Sequence, residues 1–180
     1  MTADITTKRP VDILREIIVE ELELSGDRVM IWNNKSEIPK DEYLFISLEQ
    51  AASKAFSNIV IYESRDDGYY EVQTLATLEN YNIDIMSRNL EALQRKEEVI
   101  MAMRSNFSQS KQVANGMMIS KIANLTDISG VEASARLFRF QCVVTLQASY
   151  TKEKVIEYYT TFPTLVKTED EEVEFTLPLT

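Results

Sequence analysis

Apolar residues recur along this chain with two distinct periods. Between residues 138 and 149 they alternate. Phe138, Phe140, Cys142, Val144, Leu146 and Ala148 fall on one side, and Arg139, Gln141, Thr145, Gln147 and Ser149 on the other, with Val143 the exception. A period of two belongs to a strand with one buried and one wet face. The stretch 136–150 (RLFRFQCVVTLQASY) therefore predicts one unusually long strand. Over residues 10–24 the period is helical. Val11, Leu14, Ile18 and Leu22 form a stripe that Ile13 and Ile17 widen. Pro10 suits the first helical turn, and Gly26 is placed to stop the helix. Glu20, Glu21 and Glu23 crowd its last turn against the helix dipole, a crowding that a cationic neighbour or plain solvent exposure would relieve.

Shorter elements fill the middle. Residues 28–32 make a weak strand, and a polar loop containing Pro39 leads to a strand at 42–48, apolar on both faces. Strand-like runs at 58–64 and 69–78 flank Arg65-Asp66-Asp67-Gly68, and an Asp-Gly pair between such runs marks a hairpin. A strand at 81–86 continues or restarts from there. Ser87 and Asn89 are both placed to cap a helix over 90–105, with a stripe of Leu90, Leu93, Glu97, Ile100, Met101 and Arg104. A strand at 117–123 and a turn-rich connector at 125–134 precede the long strand. After it, residues 152–163 form a short helix or an extended arm. The tail is acidic and then alternates Val173, Phe175, Leu177 and Leu179. That alternation predicts an arm that pairs outside its own core, or else a frayed terminus.

Together the pattern predicts an α+β domain over residues 1–160 and an acidic C-terminal arm over 161–180. The sheet is roughly four-stranded and mainly antiparallel, both long helices pack on one face, and the hairpin and the arm project.

Composition narrows the chemistry. The chain of 180 residues has no histidine, which removes the commonest general base and zinc ligand. Its one cysteine, Cys142, lies on the apolar side of its strand and reads as a core thiol. Its four glycines, at 26, 68, 116 and 130, are too dispersed for a phosphate-binding loop. No catalytic residue, cofactor or metal is expected, and the chain does not read as an enzyme. No apolar run approaches the ~18 residues of a membrane span, and the N-terminus lacks the apolar core of a signal peptide. Synthesis in the cytoplasm, with no membrane partner, is the expectation.

Net charge is −10, from 19 basic and 29 acidic residues. The distribution is uneven. Between residues 86 and 121 there are six basic residues (Arg88, Arg95, Lys96, Arg104, Lys111, Lys121) and three acidic ones, so that stretch is +3 and the remainder −13. Such a stretch is a solvated mixed-charge face, or a basic face that meets an acidic face of another copy, or a phosphate-binding face, which the lack of aromatic residues between the basic ones disfavours. On the second reading Arg88, Arg95, Lys96 and Arg104 are candidate subunit-interface residues. Asp66 and Asp67 at the hairpin tip, and Val173, Phe175 and Leu177 in the arm, join them.

The order of elements over residues 42–150 resembles the neck, or tail-terminator, proteins of tailed bacteriophages, and more broadly their tail-completion proteins. The likeness rests on the strand YNIDIMS, the helix NLEALQRKEEVIMAMRSNF, and the strands GMMISKIANL and RLFRFQCVVTLQASY. In that family the strand before the helix ends in Asp, an aromatic and Gly. Here Asp84 matches, and Ile85, Met86 and Ser87 replace the rest. The resemblance implies a virion protein of the neck. It would form a ring, usually a hexamer, between the tail tube protein and the connector or head-completion protein. Genomic DNA would pass through the lumen without specific binding, and an acidic lumen suits that passage. Two other classes stay open: a different tail or head-completion structural part, and a small cytoplasmic enzyme or regulator working through carboxylates alone.

Overall fold

Helix α1 spans Pro10–Glu21, and the expected stripe is its buried face: Val11, Ile13, Leu14, Ile17 and Ile18 are all buried. Each fully buried aliphatic contributes about 2 kcal/mol. The helix stops earlier than Gly26 predicts. Glu23 takes the left-handed conformation, with φ of 53°. The Leu24 N–H donates to the Val19 carbonyl (3.1 Å) and the Glu23 N–H to the Glu20 carbonyl (3.3 Å). That pair of bonds is a Schellman cap with glutamate in the place usually held by glycine. The structure, a computed structural model, describes residues 8–32, 39–132, 135–156, 161–167 and 172–178.

The described residues form an α+β fold with a mixed sheet of seven strands and three helices. The main path runs β1 (Val29–Ile31), β2 (Phe45–Arg65), β3 (Gly68–Ser87), β7 (Ala135–Ile156) and β4 (Met117–Ile122). Two short strands, β5 (Thr126–Asp127) and β6 (Gly130–Glu132), pair antiparallel with β7. The sheet is thus larger than the four strands expected. It is mixed because β1 lies parallel to β2, with Val29 opposite Ile46 and Ile31 opposite Leu48.

The strands are also longer. The runs expected at 42–48 and 58–64 are one strand of 21 residues, and those at 69–78 and 81–86 are one of 20. The small and polar residues 49–57 hide the continuity from any hydrophobic pattern. The hairpin signal was right: β2 turns into β3 over Asp66 and Asp67, and Gly68 has a φ of 150° that other residues rarely adopt. Strand β3 lies antiparallel to β7, because Asp84 meets Arg139, Asn80 meets Thr145 and Thr74 meets Thr151.

Helix α2 spans Glu91–Arg104 with Leu90 at the N-cap position rather than Ser87 or Asn89, but both of those side chains bond its first N–H groups. Asn89 Oδ1 accepts from the Glu91 N–H (2.8 Å), and Ser87 Oγ from the Ala92 N–H (2.9 Å). The expected stripe is out of phase. Ala92, Val99, Ala102 and Met103 are buried, while Leu90, Leu93 and Met101 are exposed. Small Ala92 and Ala102 let the backbone approach the sheet, which the bulkier residues would not. The chain then breaks at Ser105, whose Oγ caps a further helix, α3 (Asn106–Ala114), by accepting from the Ser108 N–H (3.0 Å). Helix α3 was not expected. The three helices pack against one another and share one core with Ile83 and Ile85 of β3 and Cys142, Val144 and Leu146 of β7. The inward face expected for the long strand is its buried face. Phe45, Met86 and Leu137 form a smaller cluster.

Two compact units divide the chain, which passes between them within β2, β3 and β7. The first holds the described residues of Ile5–Ile59 and Thr74–Thr151, with the helices and the core. The second holds Val60–Gln73 and the described residues from Lys152 onward. There Arg65 forks onto Glu153 through two bonds of 3.0 Å, bonds Glu63 (2.7 Å) and covers the Tyr70 ring. Strands β8 (Thr161–Lys167) and β9 (Glu172–Pro178) form a separate two-stranded antiparallel sheet. Of the segment expected as a short helix or an extended arm, residues 152–156 and 161–163 are strand, and residues 157–160 lie outside the described residues. Leu179 and the acidic residues 169–171 of the expected arm lie outside the described residues.

Candidate functional site

The four candidate cations have different surroundings. Arg88 is half-buried, and its Nη1 donates to the Pro39 carbonyl (2.8 Å), fastening the loop before β2. Arg95 bonds Glu98 (2.8 Å) and donates through Nη2 to the Leu22 carbonyl at the end of α1 (2.9 Å). Lys96 lies beside Glu97 (2.6 Å) and 5.3 Å from the Phe140 ring centroid. Their charge is therefore partly spent within the fold. Arg104 is exposed at the end of α2. It lines a groove of about 420 Å³ with Lys121, Gln109 and Gln112, and no carboxylate lines that groove. The structure thus separates Arg104 and Lys121, which face a groove, from Arg88 and Arg95, which hold neighbouring segments.

Asp66 and Asp67 occupy the hairpin turn and are exposed, and Asp67 accepts from the Tyr70 hydroxyl (2.7 Å). Hydrogen bonding to Asp67 raises the Tyr70 pKa, so the donor stays protonated. Val173, Phe175 and Leu177 belong to β9, opposite Val166, Thr164 and Phe162 of β8. The arm therefore pairs first with its own chain, a pairing that the sequence reading did not foresee. Neither the tip nor β9 belongs to the unit that carries the four cations.

Two buried carboxylates went unassigned in the sequence. Glu79 is buried in the strand phase of Tyr81 and Ile83. It accepts from Tyr150 (2.5 Å), Tyr81 (2.6 Å), Thr77 Oγ1 (3.0 Å) and Gln50 Nε2 (3.1 Å). Burial, and then donation to Glu79, raises the pKa of both tyrosines, so each remains a donor. A carboxylate offers about four lone-pair positions, and these four donors fill them. The group is better built to tie β2, β3 and β7 together than to take a proton from a substrate. Asp84 is buried on the other phase of β3 and accepts from Arg139 through Nε (3.2 Å) and Nη2 (3.0 Å), and from Gln141 (3.1 Å). The available signal was an acid in mid-strand: Glu79 falls in an apolar phase, and Asp84 faces a strand whose polar side carries Arg139 and Gln141.

Cys142 is buried, and burial followed by the Asp84 charge pushes its thiol up to about 12. It is therefore a core residue and a poor nucleophile. Among the described residues no group of three or more His, Cys, Asp or Glu could hold a metal ion, and no helix is long and apolar enough to cross a membrane. No protein-family model matches the chain, and no curated protein matches it.

Proposed function

We propose that this protein is a structural part of a phage neck, a tail-terminator ring that joins the tail tube to the head connector in the virion. The observation that carries the reading is the outer strand β2. Every residue over 49–56 is exposed, and farther along the same strand Phe56, Ile59, Val60, Ile61 and Tyr62 remain exposed, Tyr62 at 59%. A long strand edge left unpaired among the described residues invites pairing with another chain, and a part that works only in an assembly can carry one. On this reading the three long strands β2, β3 and β7, with the short β4 and the helices, correspond to the tail-terminator core that the element order suggested.

Further support comes from charge and from the buried carboxylates. Both are occupied by internal donors, which suits a scaffold better than a carboxylate enzyme. The net charge of −10 suits a lumen through which DNA slides. A cyclic ring needs one patch to meet a different patch, and the exposed Arg104 and Lys121 are candidates for the basic one. The reading takes the tail tube protein below, the connector or a head-completion protein above, and copies of this chain beside it. Gold-labelled antibody against the chain tests it on intact virions. Label at the head–tail junction is the expected result; label along the tube, on the capsid or nowhere overturns it.

A further inference from the structure

We propose that β9 of one copy adds as a strand to the open edge of β2 in a neighbouring copy, along residues 50–56. This rests on the assembly reading above and gives it a specific contact. Three observations converge on it.

The first is the phase of the edge. Among the described residues β1 pairs with β2 as far as Leu48, whose carbonyl accepts from the Trp32 N–H (2.8 Å). The backbone of Leu48 therefore points away from β3. Alternate residues share that direction, so Gln50, Ala52, Lys54 and Phe56 aim their N–H and C=O groups outward. Nothing described on this stretch blunts it: there is no proline, and the only charge over residues 50–62 is Lys54. Strand β4, at the other end of the sheet path, is managed differently. It has six residues and a register shift between Ile119 and Lys121, and its Ile119 N–H is taken by Gln112 Oε1 (2.7 Å).

The second observation is the state of β9. It belongs to a sheet of two strands, an arrangement only marginally stable alone. Its partner β8 contains Pro163, opposite Thr176. Proline has no N–H, so it fits that ladder where its backbone faces away from β9. The free edge of β8 is then interrupted in mid-strand, whereas the free edge of β9 meets a proline only at its last residue, Pro178, and keeps Glu172, Glu174 and Thr176 in the outward phase.

Charge is the third. The β9 sequence EVEFTLP carries two charges, both acidic, and the β2 segment carries one, cationic. Strand addition of this kind takes its affinity from the backbone and its specificity from the side chains.

The test uses two full-length variants, Ala52→Cys and Thr176→Cys, distinguished by tags, mixed and treated with a short bis-maleimide. Cys142 is buried and stays silent. The expected product is the 52–176 heterodimer. Adding Lys54→Pro to the Ala52→Cys chain removes one outward N–H and abolishes it. A dominant 52–52 product means that the edge pairs with itself and overturns the inference. Absence of any cross-link in a preparation that light scattering shows to be oligomeric overturns the strand addition while leaving the assembly reading intact. A preparation that stays monomeric at high concentration and gives no cross-link overturns the inference and counts against the ring as well.

Discussion

The Arg95 guanidinium donates to the Leu22 carbonyl at 2.9 Å, joining α2 to the C-terminal end of α1. Glu20, Glu21 and Glu23 crowd that end, and α1 has no basic residue in its last turn. The three glutamates are exposed, and Arg95, which pairs with Glu91 and Glu98, reaches this end through the Leu22 carbonyl. Replacing it with alanine should cost about 1–2 kcal/mol, since a carbonyl loses a charged donor. Denaturant unfolding of the variant checks this, and an unchanged midpoint contradicts it. Charge reversal aimed at assembly consequently belongs at Arg104 and Lys121. Changing those two exposed residues should move stability by no more than about 0.5 kcal/mol.

Glu23 holds a left-handed conformation with φ of 53° in the Schellman cap of α1. A non-glycine residue there costs about 1 kcal/mol. Glu23→Gly should raise stability by about that amount, because strain and an unfavourable charge are removed together. Thermal unfolding reads the gain. A loss of stability would mean that the cap geometry is wrong.

Glu79 and Tyr150 form the shortest bond of a buried four-donor centre. Tyr150→Phe removes one donor and should cost about 1–3 kcal/mol. Glu79→Ala strands Tyr81 and Tyr150 and should cost more than Tyr150→Phe alone. The double variant should cost less than the sum of the two, as expected for a shared bond. Additive losses in a double-mutant cycle would show that the centre does not act as a unit.

Glu16 accepts from Lys8 and, at 3.3 Å, from Lys111, and hydrogen bonding to Lys8 lowers its pKa below the ordinary 4.5. A lowered folded-state pKa means that the charged form is favoured by folding. The stabilisation is complete above the ordinary value and disappears as pH falls through the lowered one. Stability measured from pH 7 to pH 3 should therefore fall less steeply in Glu16→Gln than in the parent. Identical slopes would show that the pair contributes nothing.

Elements with a strong period were legible in the sequence. The stripe of α1, the inward face of β7, the hairpin turn and the Ser87 and Asn89 caps all follow from local patterning. The failures share one cause, which is tertiary context. Residues 49–57 are strand only because β3 lies beside them. Helix α2 turns Ala92 and Ala102 inward, where a periodicity count favours Leu93 and Met101. Helix α3 has a single Ser105 cap to announce it. The buried carboxylates showed themselves only as acids in mid-strand, because the donors that justify Glu79 come from three strands and those that justify Asp84 from β7. Likewise the pairing of β9 with β8 joins two weak segments whose match becomes visible in three dimensions.

The central claim is that copies of this chain assemble through an open strand edge into a closed ring. The most direct measurement is the solution mass of the purified protein as a function of concentration, with particle images at the highest concentration. Six copies of 20.7 kDa give about 124 kDa. The account predicts a mass that rises to a fixed plateau near that value, annular particles, and loss of the plateau when Lys54→Pro blocks the edge. A monomer at every concentration, or an open-ended series of sizes without a plateau, would contradict it.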